Sequence, residues 1–270
     1  MAARRRLDAE LVRRGLVSSR ARARELIEQG RVTVGGAPAA KPSRMVDPAE
    51  PVEVRGDRPK FVSRAGEKLD AALARFHVDP AGRRVIDIGS STGGFTDCVL
   101  QRGATEVVAI DVGRNQLHER LRADSRVKSY EQTNIRHADV AGLGGPGGLV
   151  IADLSFISLR TVAAQLLAFT APHGELVVLV KPQFEAGKVE ADRGRGVIRD
   201  PEVWRRTLDE ATNALSAAGG AIIGVMVSPI TGGDGNVEFL VHAQRDAETL
   251  GAADWTAARD AAVTHAEACL

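Results

Sequence analysis

The chain has 270 residues, of which 44% are apolar and 26% charged, enough for one ordinary domain and a smaller second one. No apolar run approaches the ~20 residues of a membrane-spanning helix, and no apolar segment follows the basic start Met1–Arg6, so we expect neither a membrane span nor a secretory signal. The two cysteines, Cys98 and Cys269, cannot build a disulfide framework or a metal site, and we therefore expect a cytoplasmic location.

Charge is distributed unevenly along the chain. Residues 1–60 carry 14 Lys and Arg against 8 Asp and Glu, a net charge of +6, whereas the remaining residues carry a net charge of −5. A basic head on a mildly acidic body indicates that the head meets a polyanion.

The head is predicted to contain two short helices and a small sheet. A helical pattern begins at Leu7 and ends near Gly15, and a second one, capped by Ser18 or Ser19, ends at Gly30. Short strands are predicted at RVTVGGAPA and PVEV. This order, carried by LDAELVRRGLVSSRARARELIEQGRVTVGGAPAAKPS, resembles the small RNA-binding domain of the ribosomal-protein S-four type.

Arginines are concentrated on and around these helices, and guanidinium groups suit phosphate contacts. The alternative is a solvated charged face with no ligand. The residues that we predict to contact RNA are Arg4, Arg6, Arg13, Arg14, Arg20, Arg22 and Arg24.

A proline-rich stretch of scattered charge separates the head from the body and indicates an exposed connection. Its prolines are Pro42, Pro48, Pro51 and Pro59. We therefore predict an RNA-binding domain over 1–57, a linker over 58–62 and a second domain over 63–270. The second domain opens with FVSRAGEKLDAALARF, whose apolar residues have helical spacing and which places Lys68 near the start of a helix.

From Arg84 onward, predicted strands alternate with helices, which is typical of a doubly wound α/β sheet. The final strand, in GNVEFLVHAQ, follows the strand AIIGVMVS closely, so we predict an antiparallel last strand and then a terminal helix over 246–270. The strands before that last one are predicted at 84–89, 106–111, 126–130, 147–153, 174–181 and 220–227.

The stretch RVIDIGSSTGGFTD, residues 84–97, is predicted to form a strand, a tight glycine loop and a helix start. Its glycines follow the pattern G-x-x-x-G-G, unlike the dinucleotide pattern G-x-G-x-x-G. With Asp87 in the strand and Asp111 ending the next one, it looks like the S-adenosylmethionine site of Rossmann-like methyltransferases. The alternative is a turn that binds nothing. Predicted cofactor-binding residues are Asp87, Gly89, Ser91, Thr92, Gly93, Gly94, Phe95, Asp111, Asn134 and Asp153.

Within this set, Asn134 is placed beside the adenine, and its alternative role is a helix N-cap. For Gly89 to Phe95, it is the backbone that we expect to approach the cofactor.

Charged residues stand at the carboxyl edge of the predicted sheet, where functional side chains of open α/β sheets lie. Asp153 ends GGLVIAD, Lys181 ends ELVVLVK, and Glu238 opens the last strand. With Lys68, they form the Lys-Asp-Lys-Glu set of ribose 2′-O-methyltransferases. Together with DIGSSTGGFTD, ADLSFISL and LVKPQFE, they resemble the TlyA family of bacterial 16S/23S rRNA (cytidine-2′-O)-methyltransferases along nearly the whole chain. The alternative is two ordinary salt bridges.

The resemblance implies that these four residues are catalytic. Lys181 is the general base for the ribose hydroxyl, since burial and the second cation at Lys68 favour its neutral amine. Lys68 and Glu238 steer the hydroxyl, and Asp153 organises the lysines and the methionine part of the cofactor. Nearby, Ser155, Phe156 and Ser158 are expected to line the nucleotide pocket, although Phe156 fits a core position equally well.

By that resemblance, the protein transfers a methyl group from S-adenosylmethionine to cytidines of rRNA within small and large ribosomal subunits, and its loss reduces sensitivity to capreomycin-type antibiotics. We expect a monomer with no metal and no membrane partner. Three alternatives stay open: methylation of another RNA such as tRNA, a non-catalytic RNA-binding assembly factor, and a membrane-active protein, since this family has also been called haemolysin.

Two segments depart from the family pattern, and one loop adds a further candidate. Ala65, in SRAGEKL, replaces an expected glycine, and the connector over 59–62 only loosely resembles the family linker. Arg193 and Arg195 lie in a glycine-rich stretch that either closes over RNA or has no role.

Overall fold

The computed structural model describes residues 4–17, 19–56, 59–187, 190 and 196–268. Packing divides the chain into two compact units, Met1–Ser63 and Arg64–Leu270. The finer division predicted above, into 1–57, 58–62 and 63–270, stays a prediction. Cys269, Arg193 and Arg195 lie outside the described residues.

The first unit contains two helices and short antiparallel strands. Ser19 caps the second helix by accepting a hydrogen bond from the Arg22 backbone N–H at 3.2 Å. Leu7, Leu26 and Val32 are among the residues of its apolar core. Its elements are β1 (Arg5–Arg6), α1 (Leu7–Arg13), α2 (Arg20–Glu28), β2 (Val32–Val34), β3 (Ala37–Pro38), β4 (Met45–Val46) and β5 (Val52–Val54). Strand β1 pairs with β4, and β2 lies between β3 and β5.

The second unit is an α/β domain with helices packed against one large sheet. Its strands are β6 (Arg84–Ile88), β7 (Glu106–Ile110), β8 (Val127–Tyr130), β9 (Gly147–Ala152), β10 (Thr170–Val180), β11 (Gly220–Val227) and β12 (Phe239–Arg245). Its helices are α3 (Ala65–Phe76), α4 (Gly94–Gln101), α5 (Glu119–Arg122), α6 (Leu159–Ala168), α7 (Pro182–Glu185), α8 (Pro201–Ala217) and α9 (Ala252–Ala268), with a 3₁₀ turn over Ile135–His137.

The sheet has the strand order β11-β12-β10-β9-β6-β7-β8. Strand β12 is antiparallel to both of its neighbours, whereas β10, β9, β6, β7 and β8 are parallel. The predicted doubly wound sheet with an antiparallel last strand is therefore confirmed. Strand β10 begins four residues earlier than predicted, with a register irregularity between Thr170 and Glu175 beside the left-handed residue His173.

Strand register brings distant parts of the chain to one edge of this sheet. Ala152 pairs with Ile88 on one side and with Val178 on the other, while Val180 pairs with Phe239. Consequently, the residues that follow β6, β9 and β10, and the residue that precedes β12, share the carboxyl edge. The core beneath them is continuous and includes the fully buried rings of Trp204, Phe169 and Phe239.

Candidate active site

Lys181 follows β10 and forms an ion pair with Asp153, which follows β9. Lys181 Nζ lies 2.6 Å from Asp153 Oδ1 and donates a hydrogen bond to Ser155 Oγ at 3.0 Å. The Lys181 side chain is 10% exposed, and its ammonium lies 5.8 Å from the ring centroid of Phe184. The amine is thus largely shielded from solvent, and two oxygen partners fix its position.

Lys68, in the first turn of α3, donates a short hydrogen bond to Glu238. Both side chains are buried, and each charge compensates the other, because an unpaired buried charge would carry a large desolvation cost. Gly232 makes room for this carboxylate, because a Cβ there would lie 2.6 Å from Glu238 Oε1. Arg64 ties the start of α3 to the same loop by donating a hydrogen bond to the Thr231 carbonyl at 3.0 Å.

The four predicted catalytic residues thus form two ion pairs along one edge of the sheet. Val180 pairs with Phe239 in antiparallel register, so the next residues, Lys181 and Glu238, stand opposite each other. The alternative interpretation, two salt bridges with no catalytic role, is compatible with the same contacts. What distinguishes these pairs is that Lys68, Lys181 and Glu238 are buried, with Asp153 partly buried, at the carboxyl edge of the sheet, where α/β folds bind ligands.

The glycine loop after β6 requires residues without side chains. Gly89 has φ +82°, and a Cβ there would lie 2.5 Å from the Asp153 carbonyl oxygen. Gly93 has φ +98°, and a Cβ there would clash with the Leu121 side chain. Ser91 is left-handed too, with φ 45°, so this loop folds back tightly before α4 begins at Gly94. Within the turn, the N–H groups of Gly89, Ser90 and Gly93 bond to backbone carbonyls, so an anionic or polar ligand would meet the N–H groups at the start of α4, which have no intrahelical partners.

Asp87 lies inside this loop's first strand and is fully buried. Its Oδ2 accepts a hydrogen bond from Thr96 Oγ1 at 2.5 Å, whereas Oδ1 is buried without a hydrogen-bond partner. Burial, with smaller contributions from the charges of Asp153 and Asp111, raises the pKa of the Asp87 carboxyl to about 7. An orphaned buried carboxylate oxygen beside a glycine loop fits a ligand that brings a positive charge.

The other predicted cofactor residues surround the loop. Asp111 accepts hydrogen bonds from the backbone N–H groups of Ser91 at 2.8 Å and Gly113 at 2.7 Å, which holds its carboxylate against the loop. Asn134 Oδ1 caps the 3₁₀ turn by accepting a hydrogen bond from the Arg136 backbone N–H at 3.0 Å, so Asn134 has the N-cap role that was the alternative to adenine binding. The Phe95 side chain is buried in α4, so only its backbone is available to a ligand.

An aromatic pair stands beside Lys181. Phe156 is 91% exposed on left-handed backbone with φ 63°, and its ring centroid lies 5.1 Å from that of Phe184. The alternative placement of Phe156 in the core is therefore wrong. A large exposed aromatic ring next to a buried lysine offers a surface on which a nucleobase can stack.

Sequence reasoning missed the buried acid that fixes the neighbouring segment. Glu185 accepts a hydrogen bond from the Leu159 backbone N–H at 2.7 Å and a short one from the Ser158 hydroxyl. Burial raises the pKa of the Glu185 carboxyl. Ser158 also caps α6 by accepting from the Arg160 backbone N–H, so its role here is to anchor the loop that carries Phe156. Glu185 belongs to the motif LVKPQFE, but no periodicity or spacing in the sequence marks its carboxylate as buried.

In the first unit, most of the predicted RNA-binding arginines are engaged by carboxylates. Arg14 is 19% exposed, pairs with Glu10 and donates hydrogen bonds to three backbone carbonyls, so it supports the local structure. Arg4 lies exposed at the start of the described chain. The remaining ion pairs are Arg6, Arg20 and Arg24 with Asp8, Arg13 with Glu10, and Arg22 with Glu25.

The described part of the chain shows neither a metal-binding cluster nor a helix fit to span a membrane. Among those residues, no group of three or more His, Cys, Asp or Glu side chains is arranged to hold a metal ion. Within the same residues, no helix combines the length and apolar character needed to cross a membrane.

Fold and site together define a Rossmann-like enzyme of the methyltransferase type, and comparisons with known proteins give the family. Residues 61–245 match the FtsJ-like methyltransferase family, and residues 5–52 match the S4 domain. The chain therefore belongs to the FtsJ-like methyltransferases and carries an S4 domain at its N-terminal side.

Similar proteins cover nearly all of the chain. The 16S/23S rRNA (cytidine-2′-O)-methyltransferase TlyA of Mycobacterium tuberculosis is 46% identical over 242 residues, which is 89% of this chain and 90% of that protein. A candidate rRNA methyltransferase of Bacillus subtilis, YqxC, is 44% identical over 88% of this chain and 84% of its own. A solved structure of a candidate hemolysin from Streptococcus thermophilus is 36% identical, with a TM-score of 0.77 over 99% of this chain and 98% of that one. The resemblance to the TlyA family is thereby confirmed.

Proposed function

We propose that this protein transfers a methyl group from S-adenosylmethionine to the ribose 2′-hydroxyl of cytidine in the rRNA of small and large ribosomal subunits. The observation that carries the proposal is the pair of lysine–carboxylate contacts, Lys68–Glu238 and Lys181–Asp153, in which both lysines are buried, at the carboxyl edge of the sheet that also carries the glycine loop. The names of the relatives support the substrate class. A cytoplasmic location, where ribosomal subunits are modified, is part of this proposal.

The glycine loop and its acids fit S-adenosylmethionine, which supplies an electrophilic methyl group when bound. Its amino group would meet the unpartnered Asp87 Oδ1, and backbone N–H groups at the start of α4 would meet its carboxylate. Asp111, already held against the loop, has acceptor capacity left for ribose hydroxyls. Asn134 keeps its amide nitrogen available while its oxygen caps the 3₁₀ turn. The residues that would hold the cofactor thus come from the ends of β6, β7 and β8.

Lys181 is the group that we assign to accept the hydroxyl proton. The amine must be neutral to accept that proton. Asp153 and Ser155 hold the amine in place through their contacts at 2.6 and 3.0 Å. Lys181 Nζ would take the proton that the ribose hydroxyl gives up, and the positioning of the two reactants would supply much of the rate.

The target nucleotide would be held by the exposed Phe156 ring, whose centroid lies 5.1 Å from that of Phe184, the ring that Lys181 Nζ also approaches. Stacking is tolerant of base identity, so the choice of cytidine rests on the relatives and not on this ring.

The test is methyl transfer to purified small and large subunits that lack the modification, with methyl-labelled S-adenosylmethionine. Wild type is compared with Lys181→Ala and with Lys128→Ala, a matched control on β8 whose side chain is 57% exposed. We expect label at a ribose 2′ position with wild type and the control, and a loss of at least a hundredfold with Lys181→Ala.

Label on tRNA but on neither subunit would place the activity on another RNA. Absence of label together with absence of cofactor binding in calorimetry would overturn the enzymatic proposal and favour an RNA-binding assembly factor.

A further inference from the structure

One buried carboxylate in the first unit meets three guanidinium groups. Asp8, in α1, accepts hydrogen bonds from Arg6 Nε at 3.1 Å and Arg6 Nη2 at 3.2 Å, and from Arg20 Nη2 at 2.8 Å. Arg24 Nε lies 3.5 Å from the same Oδ2 that Arg20 contacts. The carboxylate therefore gathers one arginine from β1 and two from α2. We call these four residues the Asp8 cluster.

Charge in the Asp8 cluster is arranged with the acid inside and the bases outside. The Asp8 side chain is fully buried, whereas those of Arg6, Arg20 and Arg24 are 45%, 52% and 55% exposed. Its local net charge is +2. Each guanidinium carries five N–H donors, and Asp8 accepts only two from Arg6 and one from Arg20. The three arginines thus present positive charge and unused N–H donors to solvent, while the buried Asp8 carboxylate fixes their positions.

The other arginines of this unit are arranged differently. Arg14 is committed to backbone carbonyls, as described above. Arg22 pairs with Glu25, which is itself 52% exposed, so both charges of that pair lie in water. Only in the Asp8 cluster, among the described ion pairs of this unit, do several exposed arginines share one buried acid.

We propose that Asp8 is a positioning residue that orders three of the arginines predicted to contact RNA, Arg6, Arg20 and Arg24, so that their guanidinium groups meet the phosphates of the RNA backbone. The inference deepens the proposed function, since it takes RNA as the ligand. Guanidinium groups bind phosphate through paired, directional N–H donors. An arginine that is already ordered loses less conformational entropy when it binds than one that moves freely.

This proposal makes a prediction opposite to that of simple charge counting. Removing a negative charge from a basic surface should strengthen RNA binding if only net charge matters. If Asp8 orders the arginines, Asp8→Asn weakens RNA binding although the protein becomes more positive. The direction of the change in Kd therefore distinguishes ordering of the arginines by Asp8 from a simple effect of net charge.

The experiment measures binding of the full chain to purified small subunits, large subunits and total rRNA stripped of protein, at several salt concentrations. Wild type is compared with Asp8→Asn and with Glu53→Gln, which removes one exposed negative charge from β5 of the same unit. We expect the Kd to rise about tenfold for Asp8→Asn and to stay within about twofold of wild type for Glu53→Gln. A Kd for Asp8→Asn that is unchanged or lower overturns the proposal.

Arg20→Lys keeps the protein testable if the buried substitution disturbs folding, because the Arg20 side chain is half exposed and the charge is preserved. It removes the guanidinium fork, so we expect weaker binding with an unchanged salt dependence, and combining it with Asp8→Asn should add less than the product of the two effects. Equal affinity of Arg20→Lys and wild type overturns the proposal. If wild type binds none of the three RNAs, the proposed function fails along with it, which is distinct from failure of the Asp8 variants alone.

Discussion

Lys68 in α3 and Glu238 before β12 form a buried ion pair although 170 positions separate them in sequence. Their side chains are 7% and 3% exposed. The contact fastens the first helix of the second unit to its last strand, and strand register sets Glu238 opposite Lys181. The contact therefore stabilises the fold and, in the proposed mechanism, also serves methyl transfer. Mutation can separate these two roles.

Glu238→Gln is expected to lower the free energy of unfolding by about 3–5 kcal/mol, because it leaves the Lys68 ammonium buried without a compensating charge. Replacing both partners, with Lys68→Met and Glu238→Leu, should restore most of this stability. Methyl transfer should be lost in both proteins. Urea unfolding and the labelling assay make the two measurements, and a double variant that is either as unstable as the single one or still active would contradict the assignment.

Asp87 predicts how stability depends on pH. Its carboxyl has a pKa of about 7 in the folded protein, against about 3.9 in an unfolded chain. The folded state therefore holds a proton that the unfolded state releases, so the free energy of unfolding falls by about 4 kcal/mol as the pH rises from about 4 to 7. Asp87→Asn should remove this component, which chemical unfolding at a series of pH values would detect. An identical pH profile in the two proteins would refute it.

The same carboxyl predicts how cofactor binding depends on pH. A cationic amino group beside Asp87 Oδ1 favours the ionised form, so binding expels the proton. The affinity for S-adenosylmethionine should rise by up to tenfold per pH unit between about pH 5 and 7 and then level off. Calorimetry in buffers of different ionisation enthalpy would count the released proton. Asp87→Asn should bind more weakly and without this pH dependence.

Gly89→Ala tests the close approach of the glycine loop to Asp153. The new Cβ would meet the Asp153 carbonyl oxygen at 2.5 Å on left-handed backbone, and we expect a cost of about 1–3 kcal/mol in the free energy of unfolding. Cofactor affinity should fall with it, because the loop must move. Gly233→Ala is the matched control, since nothing lies within 4 Å of a Cβ there. Equal behaviour of the two variants would argue against a tight loop.

Phe156→Ala separates substrate binding from folding. The ring is 91% exposed, so the free energy of unfolding should change by less than about 0.5 kcal/mol. Loss of one stacked base costs about 1–3 kcal/mol, which is about a 5- to 150-fold loss in methyl transfer. Cofactor affinity should be unchanged. Phe156→Tyr, which keeps an aromatic face, should retain most of the activity, and a deficit equal to that of alanine would exclude stacking.

The carboxyl edge that gathers the candidate site residues was predictable because it depends on strand periodicity and chain order. Parallel strands end at one edge, so Asp153 and Lys181 had to approach each other once their strands were recognised. The antiparallel last strand added Glu238 by the same logic. The tight loop at Gly89 and Gly93 was predictable for a different reason. A sharp strand-to-helix turn requires residues without side chains, and the glycine pattern shows where they stand.

Contacts between side chains were less predictable. Sequence reasoning counted Asp8 and Glu10 only as charges that reduce the net charge of the head, whereas the structure buries both among arginines. Such pairs depend on how α1 packs, which periodicity does not specify. Glu185 was missed for a similar reason, since its partners Ser158 and Leu159 lie 27 and 26 residues away. The exposure of Phe156 depends on a local left-handed turn at a residue that ordinarily favours other backbone conformations.

The position of β12 between β10 and β11 has a consequence for the timing of synthesis. The last strand is inserted into the interior of the sheet and is not added at its edge. Until residues 239–245 have left the ribosome, β10 and β11 lack their shared neighbour, and Lys68 lacks the carboxylate that compensates its charge. A nascent chain that already displays its RNA-binding head would therefore still be inactive, so methyl transfer begins only after β12 has been synthesised and inserted.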